Sequence, residues 1–241
     1  MGVNINISLP EKYLDRAMRV AEGAGRYISF IRKQKACFDE YINNVKKHDP
    51  AATGTAEIVL LYSGVHAVAA HRIAHRLHKR GYTLAARAIS QAARAWTGIE
   101  IHPGATIGKC LFIDHGMGVV IGETTVIGDY CTIYQGVTLG GTGKDTGKRH
   151  PTLGNRVMVG AGAKVLGPFK VGDGAKIAAG AVVLCEVPED TTAVGIPAKP
   201  VCKDKKLTGE MDHIHIPDPV SQMIRALEER VSGLEKLIDK K

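Results

Sequence analysis

Aromatic residues make up only 5% of the chain, with a single tryptophan, and the lysines are not interleaved with them as a single-strand nucleic-acid surface would require. The five cysteines, Cys37, Cys110, Cys131, Cys185 and Cys202, include no Cys-x-x-Cys pair. Their scatter argues against a zinc knuckle or a disulfide framework and for reduced thiols. No apolar run approaches the ~20 residues of a membrane span. The segment from Met1 to Pro10 is too weakly basic, and its apolar run too short, for a signal peptide. These absences lead to the expectation of a cytoplasmic protein without membrane association. A nucleotide loop ending in Gly-Lys-Ser/Thr and a His-Glu-x-x-His helix are also missing.

What the chain does have is glycine, 28 residues of it, and a period of six. From Ile101 the aliphatic register runs through Ile107, Ile113, Ile121, Ile127, Ile133 and Leu139, and after a gap through Leu153, Val159, Val165, Val171, Ile177 and Val183. Units this short cannot bury a face alone, so they must stack into a shared core. Three units close one triangular coil, and eighteen residues return the chain to the same face. Leu153 is therefore expected under Val171, Val159 under Ile177 and Val165 under Val183. The formal net charge of +8 suits an anionic partner. However, Lys164, Lys170 and Lys176 fall on three successive faces, so no single basic stripe and no nucleic-acid partner is expected.

Residues before about 98 read as helices. Ala56 to Arg80 has apolar residues at three- and four-residue intervals and stops at Gly81, and Tyr82 to Trp96 reads as a second helix ending before Gly98. Glu11 to Val20 and Tyr27 to Val45 are further helical candidates, the latter closed by Asp49-Pro50. His71, His75 and His78 share one helical face at a spacing that can bind metal, but without an acidic helper a packed or solvated face is the better reading and no metal site is expected. Two extra residues enter the repeat near Asp114-His115-Gly116. A glycine-rich excursion from Gly140 to His150 is too long for a coil. Loops on a rigid scaffold tend to carry function, and both interruptions hold a histidine beside a charged residue.

Glu100-Ile101-His102-Pro103, Asp114-His115-Gly116, Gly140-Gly141-Thr142-Gly143-Lys144, Arg149-His150-Pro151, Val159 to Lys164 and Gly195-Ile196-Pro197-Ala198 together resemble the serine O-acetyltransferases, within the hexapeptide-repeat acyltransferases. The similarity runs from about Asp49 to Val201. It implies a helical N-terminal domain (1–98), a left-handed parallel β-helix acetyltransferase domain (99–201), and a linker with a C-terminal amphipathic helix (202–241). The implied reaction moves the acetyl group of acetyl-CoA, a co-substrate, to the hydroxyl of L-serine, giving O-acetylserine for cysteine biosynthesis.

Such a transfer needs a base for a weakly acidic hydroxyl, which a histidine titrating near neutrality supplies. The resemblance gives that role to His115, oriented by Glu100, where many relatives carry aspartate. It implies Asp49 and Asp114 as partners of the serine ammonium, and Arg149 with His150 as partners of the carboxylate. It also implies Gly141, Thr142, Ala161 and Ala179 along the pantetheine arm of CoA, and His102 is left as a structural residue. L-cysteine, which differs from serine by one atom, is the expected inhibitor.

Other readings use the same solenoid: a hexapeptide acetyltransferase acting on a sugar or xenobiotic, a zinc carbonic anhydrase recruiting His102, His115 and His150, or a non-catalytic scaffold. The resemblance further implies a homotrimer with shared sites, and a hexamer is the alternative. Val220, Ile224, Leu227, Val231, Leu234 and Ile238 form a heptad seam expected to pack against another subunit. Relatives engage a sulfhydrylase through a tail ending in isoleucine, whereas this chain ends Asp239-Lys240-Lys241, so no stable complex of that kind is expected.

Overall fold

The computed structural model describes residues 29, 32–33, 35–143, 146–201, 224 and 227–233. The chain divides into two compact units, Met1–Asn43 and Asn44–Lys241. In the first unit every described residue is helical. The expected helix over Glu11 to Val20, Cys202, Lys144 and the seam positions Val220, Leu234 and Ile238 lie outside the described residues.

In the second unit, helical residues 44–48 (α1) lead to α2 (Thr55–Leu61), α3 (Ser63–Lys79) and α4 (Thr83–Thr97). The continuous helix expected from Ala56 to Arg80 is instead broken at Tyr62, whose backbone is extended (φ −81°, ψ 110°). Helix propensity carries straight through this stretch, and a tertiary contact described below overrides it. The end of α3 follows the sequence expectation. Gly81 adopts φ 84°, its N–H donates to the His78 carbonyl (2.9 Å), and the Tyr82 N–H donates to the Leu77 carbonyl (3.0 Å), a Schellman closure.

The solenoid follows as three sheets. Sheet A contains β1 (Glu100–Ile101), β4 (Val120–Ile121), β7 (Thr138–Gly140), β10 (Lys164–Leu166) and β13 (Val182–Val183). Sheet B contains β2 (Thr106–Ile107), β5 (Val126–Ile127), β8 (Thr152–Leu153) and β11 (Lys170–Val171). Sheet C contains β3 (Phe112–Asp114), β6 (Thr132–Tyr134), β9 (Met158–Val159), β12 (Lys176–Ile177), β14 (Thr192–Gly195) and β15 (Ala198–Val201). All pairings are parallel except the closing β14–β15 hairpin.

The expected columns form. Leu153 pairs with Val171, Val159 with Ile177 and Val165 with Val183. Each of these side chains is essentially fully buried. One such side chain per face contributes about 1.5–3 kcal/mol, so the six-residue period is itself the core. Lys164, Lys170 and Lys176 stand on sheets A, B and C respectively, which disperses the positive charge as expected.

A parallel coil leaves one edge unpaired. Within the stack, strand N–H groups donate to carbonyls of the following coil, as His102 does to Ile121 and Thr106 to Thr125. The matching carbonyls of the first coil therefore have no preceding strand, and an exposed row of this kind invites misassembly. Side chains of α3 and α4 fill it. Ser90 donates to the Ile101 carbonyl (2.7 Å), His71 Nε2 to Ala105 (3.1 Å) and Arg72 to Ile107 (2.6 Å). His75 Nδ1 adds a bond to the Pro103 carbonyl (2.7 Å). His71 and His75 thus dock α3 onto the first coil. No helix among the described residues is long and apolar enough to cross a membrane.

Candidate active site

Two interruptions of the repeat project from two different corners. Glu100 pairs with Val120, two residues beyond an eighteen-residue coil, and the surplus forms the turn after Asp114 where sheet C passes to sheet A. Thr138 pairs with Lys164, eight residues beyond it, and that surplus forms the loop where sheet A passes to sheet B.

At the first corner Asp114 ends β3 and His115 adopts φ 57°, a left-handed conformation uncommon outside glycine and often found at functional sites. Gly116 follows at φ 80°, and its N–H closes onto the Asp114 carbonyl (2.6 Å). A Cβ there would collide with Ile99, so only glycine completes the turn. Ser63 Oγ donates to the His115 carbonyl (3.1 Å), and the His115 ring projects outward, 76% exposed, with Nε2 3.9 Å from Asp114 Oδ1.

Asp49, Tyr62, Ser63, Asp114 and His115 border one groove of about 300 Å³. Asp49 accepts from the Ala51 N–H at Oδ1 (2.8 Å) and from the Tyr62 hydroxyl at Oδ2 (2.6 Å). That bond, burial and the nearby carboxylates push the Tyr62 phenol up to about 12. Two carboxylates and an imidazole in one groove suit a cationic group beside a proton to be removed.

The second corner is built around Thr124. Its hydroxyl accepts the N–H groups of Arg149 (3.0 Å) and His150 (3.1 Å), and Lys148 Nζ donates to its carbonyl (2.7 Å). Arg149 Nη2 is paired with Glu123 Oε2, which holds the Glu123 carboxyl below its usual range. His150 is buried, with Nδ1 taking the Thr124 N–H (3.1 Å), so the neutral ring carries its proton on Nε2. Burial, Arg149 and Lys148 lower its pKa against an opposing pull from Glu123. Gly122 has no room for a Cβ because the His150 ring occupies that space. His102 stands at the same corner; its Nδ1 accepts the Gly104 N–H (3.0 Å), and burial followed by Arg87 lowers its pKa.

The chain therefore brings Asp49, Asp114 and His115 together, and Arg149 together with His150, but on separate corners. The residues expected along the CoA arm divide in the same way. Gly141 and Thr142 leave β7 at the second corner, and Ala161 and Ala179 lie at the first. There Gly136 donates to Met117, Gly162 to Gln135 and Gly180 to Ala161, stacking successive coils. With coils about 4.8 Å apart, Ala161 and Ala179 form a bare ledge roughly 10 and 14 Å along the axis from the coil of His115. Glu100 lies beside the His115 turn, since its N–H donates to Val119 (2.9 Å), but its carboxylate faces Arg94 Nε at 3.3 Å.

Sequence reasoning missed Tyr62, Glu123 and Thr124. Tyr62 is hidden in a run of helix formers, and Gly122-Glu123-Thr124 reads as an ordinary repeat unit. The three histidines that a zinc anhydrase would need are split, His115 on one corner and His102 and His150 on the other. Among the described residues no group of three His, Cys, Asp or Glu could hold a metal ion.

The family model described as bacterial transferase hexapeptide (six repeats) matches residues 150–185. A serine acetyltransferase of Bacillus subtilis is 54% identical over 204 residues, covering 84% of this chain and 94% of its own length. The chain belongs to the serine acetyltransferase family. Among solved structures, a serine acetyltransferase of Brucella abortus in complex with coenzyme A is 42% identical with a TM-score of 0.68, covering 70% of this chain and 68% of its own. Another member, in complex with cysteine, is also 42% identical, with a TM-score of 0.71 and coverage of 75% and 71%. Family membership favours acyl transfer to serine over the sugar, anhydrase and scaffold readings.

Proposed function

We propose that this acyltransferase moves the acetyl group of acetyl-CoA to the hydroxyl of L-serine, in a site completed by two copies of the chain. The observation that carries the shared site is the division of the machinery between two corners. The ammonium groove and the base stand on one corner, and the carboxylate-binding arginine stands on the other. In this reading Asp49 and Asp114 hold the serine ammonium, and Arg149 with His150, supplied by the neighbour, hold the carboxylate. His115 removes the hydroxyl proton as the oxygen attacks the thioester carbonyl; the C–S bond then breaks and the departing CoA sulfur takes that proton from the imidazolium, leaving the free thiol and a neutral base. Glu100 orients His115 once its carboxylate turns from Arg94.

Ala161 and Ala179 of one copy and Gly141 and Thr142 of the other border the groove for the pantetheine arm. The coenzyme A complex of the Brucella relative supports acetyl-CoA as co-substrate. The cysteine complex of a second relative supports L-cysteine as a ligand, which in this reading occupies the serine site and competes with serine.

A ring of three copies, set side by side with their solenoids around a common threefold axis, gives every first corner a second corner to face, and a heterologous contact that closes produces such a ring. Exposed apolar residues support it. Leu84, Ala88, Ala92 and Trp96 recur along α4 and end near Met117 at the first corner, and Ile224, Leu227 and Val231 of the tail seam are exposed in a single chain. The domain limits proposed are 1–98 for the helices, 99–201 for the catalytic solenoid and 202–241 for the tail. Free cysteines at Cys37, Cys110, Cys131 and Cys185 fit the reducing cytoplasm.

The direct test is thiol release from acetyl-CoA with L-serine, compared with a panel of amino sugars. Turnover with serine alone is expected. Turnover with a sugar and none with serine would overturn the reading.

A further inference from the structure

The helix break at Tyr62 links both halves of the first corner. On one side of the break the Tyr62 hydroxyl donates to Asp49 Oδ2 (2.6 Å), and on the other Ser63 Oγ donates to the His115 carbonyl (3.1 Å). Two adjacent residues thus reach the carboxylate of the ammonium groove and the backbone of the proposed base. The break is held at both ends by the chain: the Tyr62 N–H donates to the Ile58 carbonyl (3.4 Å), and the Tyr62 carbonyl accepts from Val65 (3.1 Å) and His66 (3.3 Å).

We propose that Tyr62 is a positioning residue for the amino-acid substrate, fixing the Asp49 carboxylate in the plane that receives the ammonium group. The inference rests on the reading that Asp49 binds that ammonium. Asp49 lies in the turn after α1, where a carboxylate on a short side chain could rotate freely. Hydrogen bonds to different oxygens, Ala51 N–H to Oδ1 and Tyr62 to Oδ2, remove that rotation. A carboxylate offers about four acceptor sites, so two remain for the ligand. The Tyr62 phenol titrates at about 12, so it stays a donor throughout the working pH range. A bond from a neutral donor to a charged acceptor is stronger than a neutral pair, and its loss falls on the amino-acid substrate rather than on CoA.

The test is a double-mutant cycle on the full chain with Tyr62→Phe, Asp49→Asn and the double variant, reading KM for serine, KM for acetyl-CoA, kcat and the cysteine inhibition constant. Tyr62→Phe keeps the ring and its packing. It is expected to raise the serine KM and weaken cysteine inhibition together by roughly tenfold, with the acetyl-CoA KM unchanged. In the Asp49→Asn background it should add nothing, because its target is already altered. A full additional loss in that background would show that Tyr62 acts on substrate directly or on the fold, and would overturn the inference. An unchanged serine KM in Tyr62→Phe, with a raised one in Asp49→Asn, would overturn it while leaving the ammonium reading intact. An unchanged serine KM in Asp49→Asn would overturn that reading itself, and the inference with it.

Discussion

The backbone N–H of Thr124 donates to Nδ1 of His150 at 3.1 Å, so a buried histidine one residue from Arg149 is held neutral with its proton on Nε2. A main-chain N–H can only donate, so protonating Nδ1 would break this bond and set two donors against each other. Burial and the adjacent Arg149 and Lys148 charges push the same way. Nitrogen NMR of the His150 ring should therefore report the Nε2–H tautomer at pH 7, titrating below an ordinary histidine. A doubly protonated ring at pH 7 would contradict this assignment.

Glu123 pairs with Arg149 on a partly exposed surface, so solvent weakens the pair and its loss should be modest. Glu123→Gln should raise the serine KM by several-fold, with the acetyl-CoA KM unaffected. Arg149→Ala, which in the proposed reading removes the bidentate partner of the serine carboxylate, should raise it by about a hundredfold or more. Equal effects from the two substitutions would show that Arg149 does not meet the serine carboxylate.

His71 links stability to acid. Burial, with the nearby His75 and Arg72 charges, pulls its pKa down to about 4, so the folded state requires the neutral ring, while the unfolded chain titrates near 6.5. A folded pKa below the unfolded one gives stability that is complete above pH 6.5 and drains as pH falls towards 4. The loss is on the order of 3 kcal/mol at most. Denaturant unfolding at pH 7 and pH 4.5 should show this decline, and His71→Asn, which does not titrate, should flatten it. An unchanged slope in that variant would assign the acid sensitivity elsewhere.

The solenoid was legible because one side chain in six must point inward, and a two- or eight-residue surplus cannot be absorbed without a loop. Asp114-His115 and Arg149-His150 were therefore visible as loop-borne pairs. Their position on different corners also follows from counting sixes, since one surplus comes after a sheet C strand and the other after a sheet A strand. The contacts that organise them were not legible. Tyr62 lies thirteen residues from Asp49, in a stretch that local propensity reads as unbroken helix. Thr124 lies 26 residues from His150, and nothing in a hexapeptide unit says which loop will fold back onto it. The resemblance pairs Glu100 with His115, while its carboxylate meets Arg94, from the last turn of α4 before the Gly98 cap. Long-range polar contacts of this kind are decided by tertiary packing, which periodicity does not encode.

The central claim is that the base and the carboxylate anchor of one site come from two chains, and mixing inactive variants tests it. His115→Ala alone should lower kcat by about 10²- to 10⁴-fold, and Arg149→Ala alone should abolish serine saturation. Unfolded and refolded together in equal amounts, the two variants should regain about a quarter of wild-type activity. That is the share of contacts in a closed heterologous ring that pair an intact His115 with an intact Arg149. Recovery near that fraction, in mixed oligomers verified by light scattering and mass spectrometry, is the predicted result. Mixed oligomers that form and remain as inactive as their parents would contradict a site shared between chains.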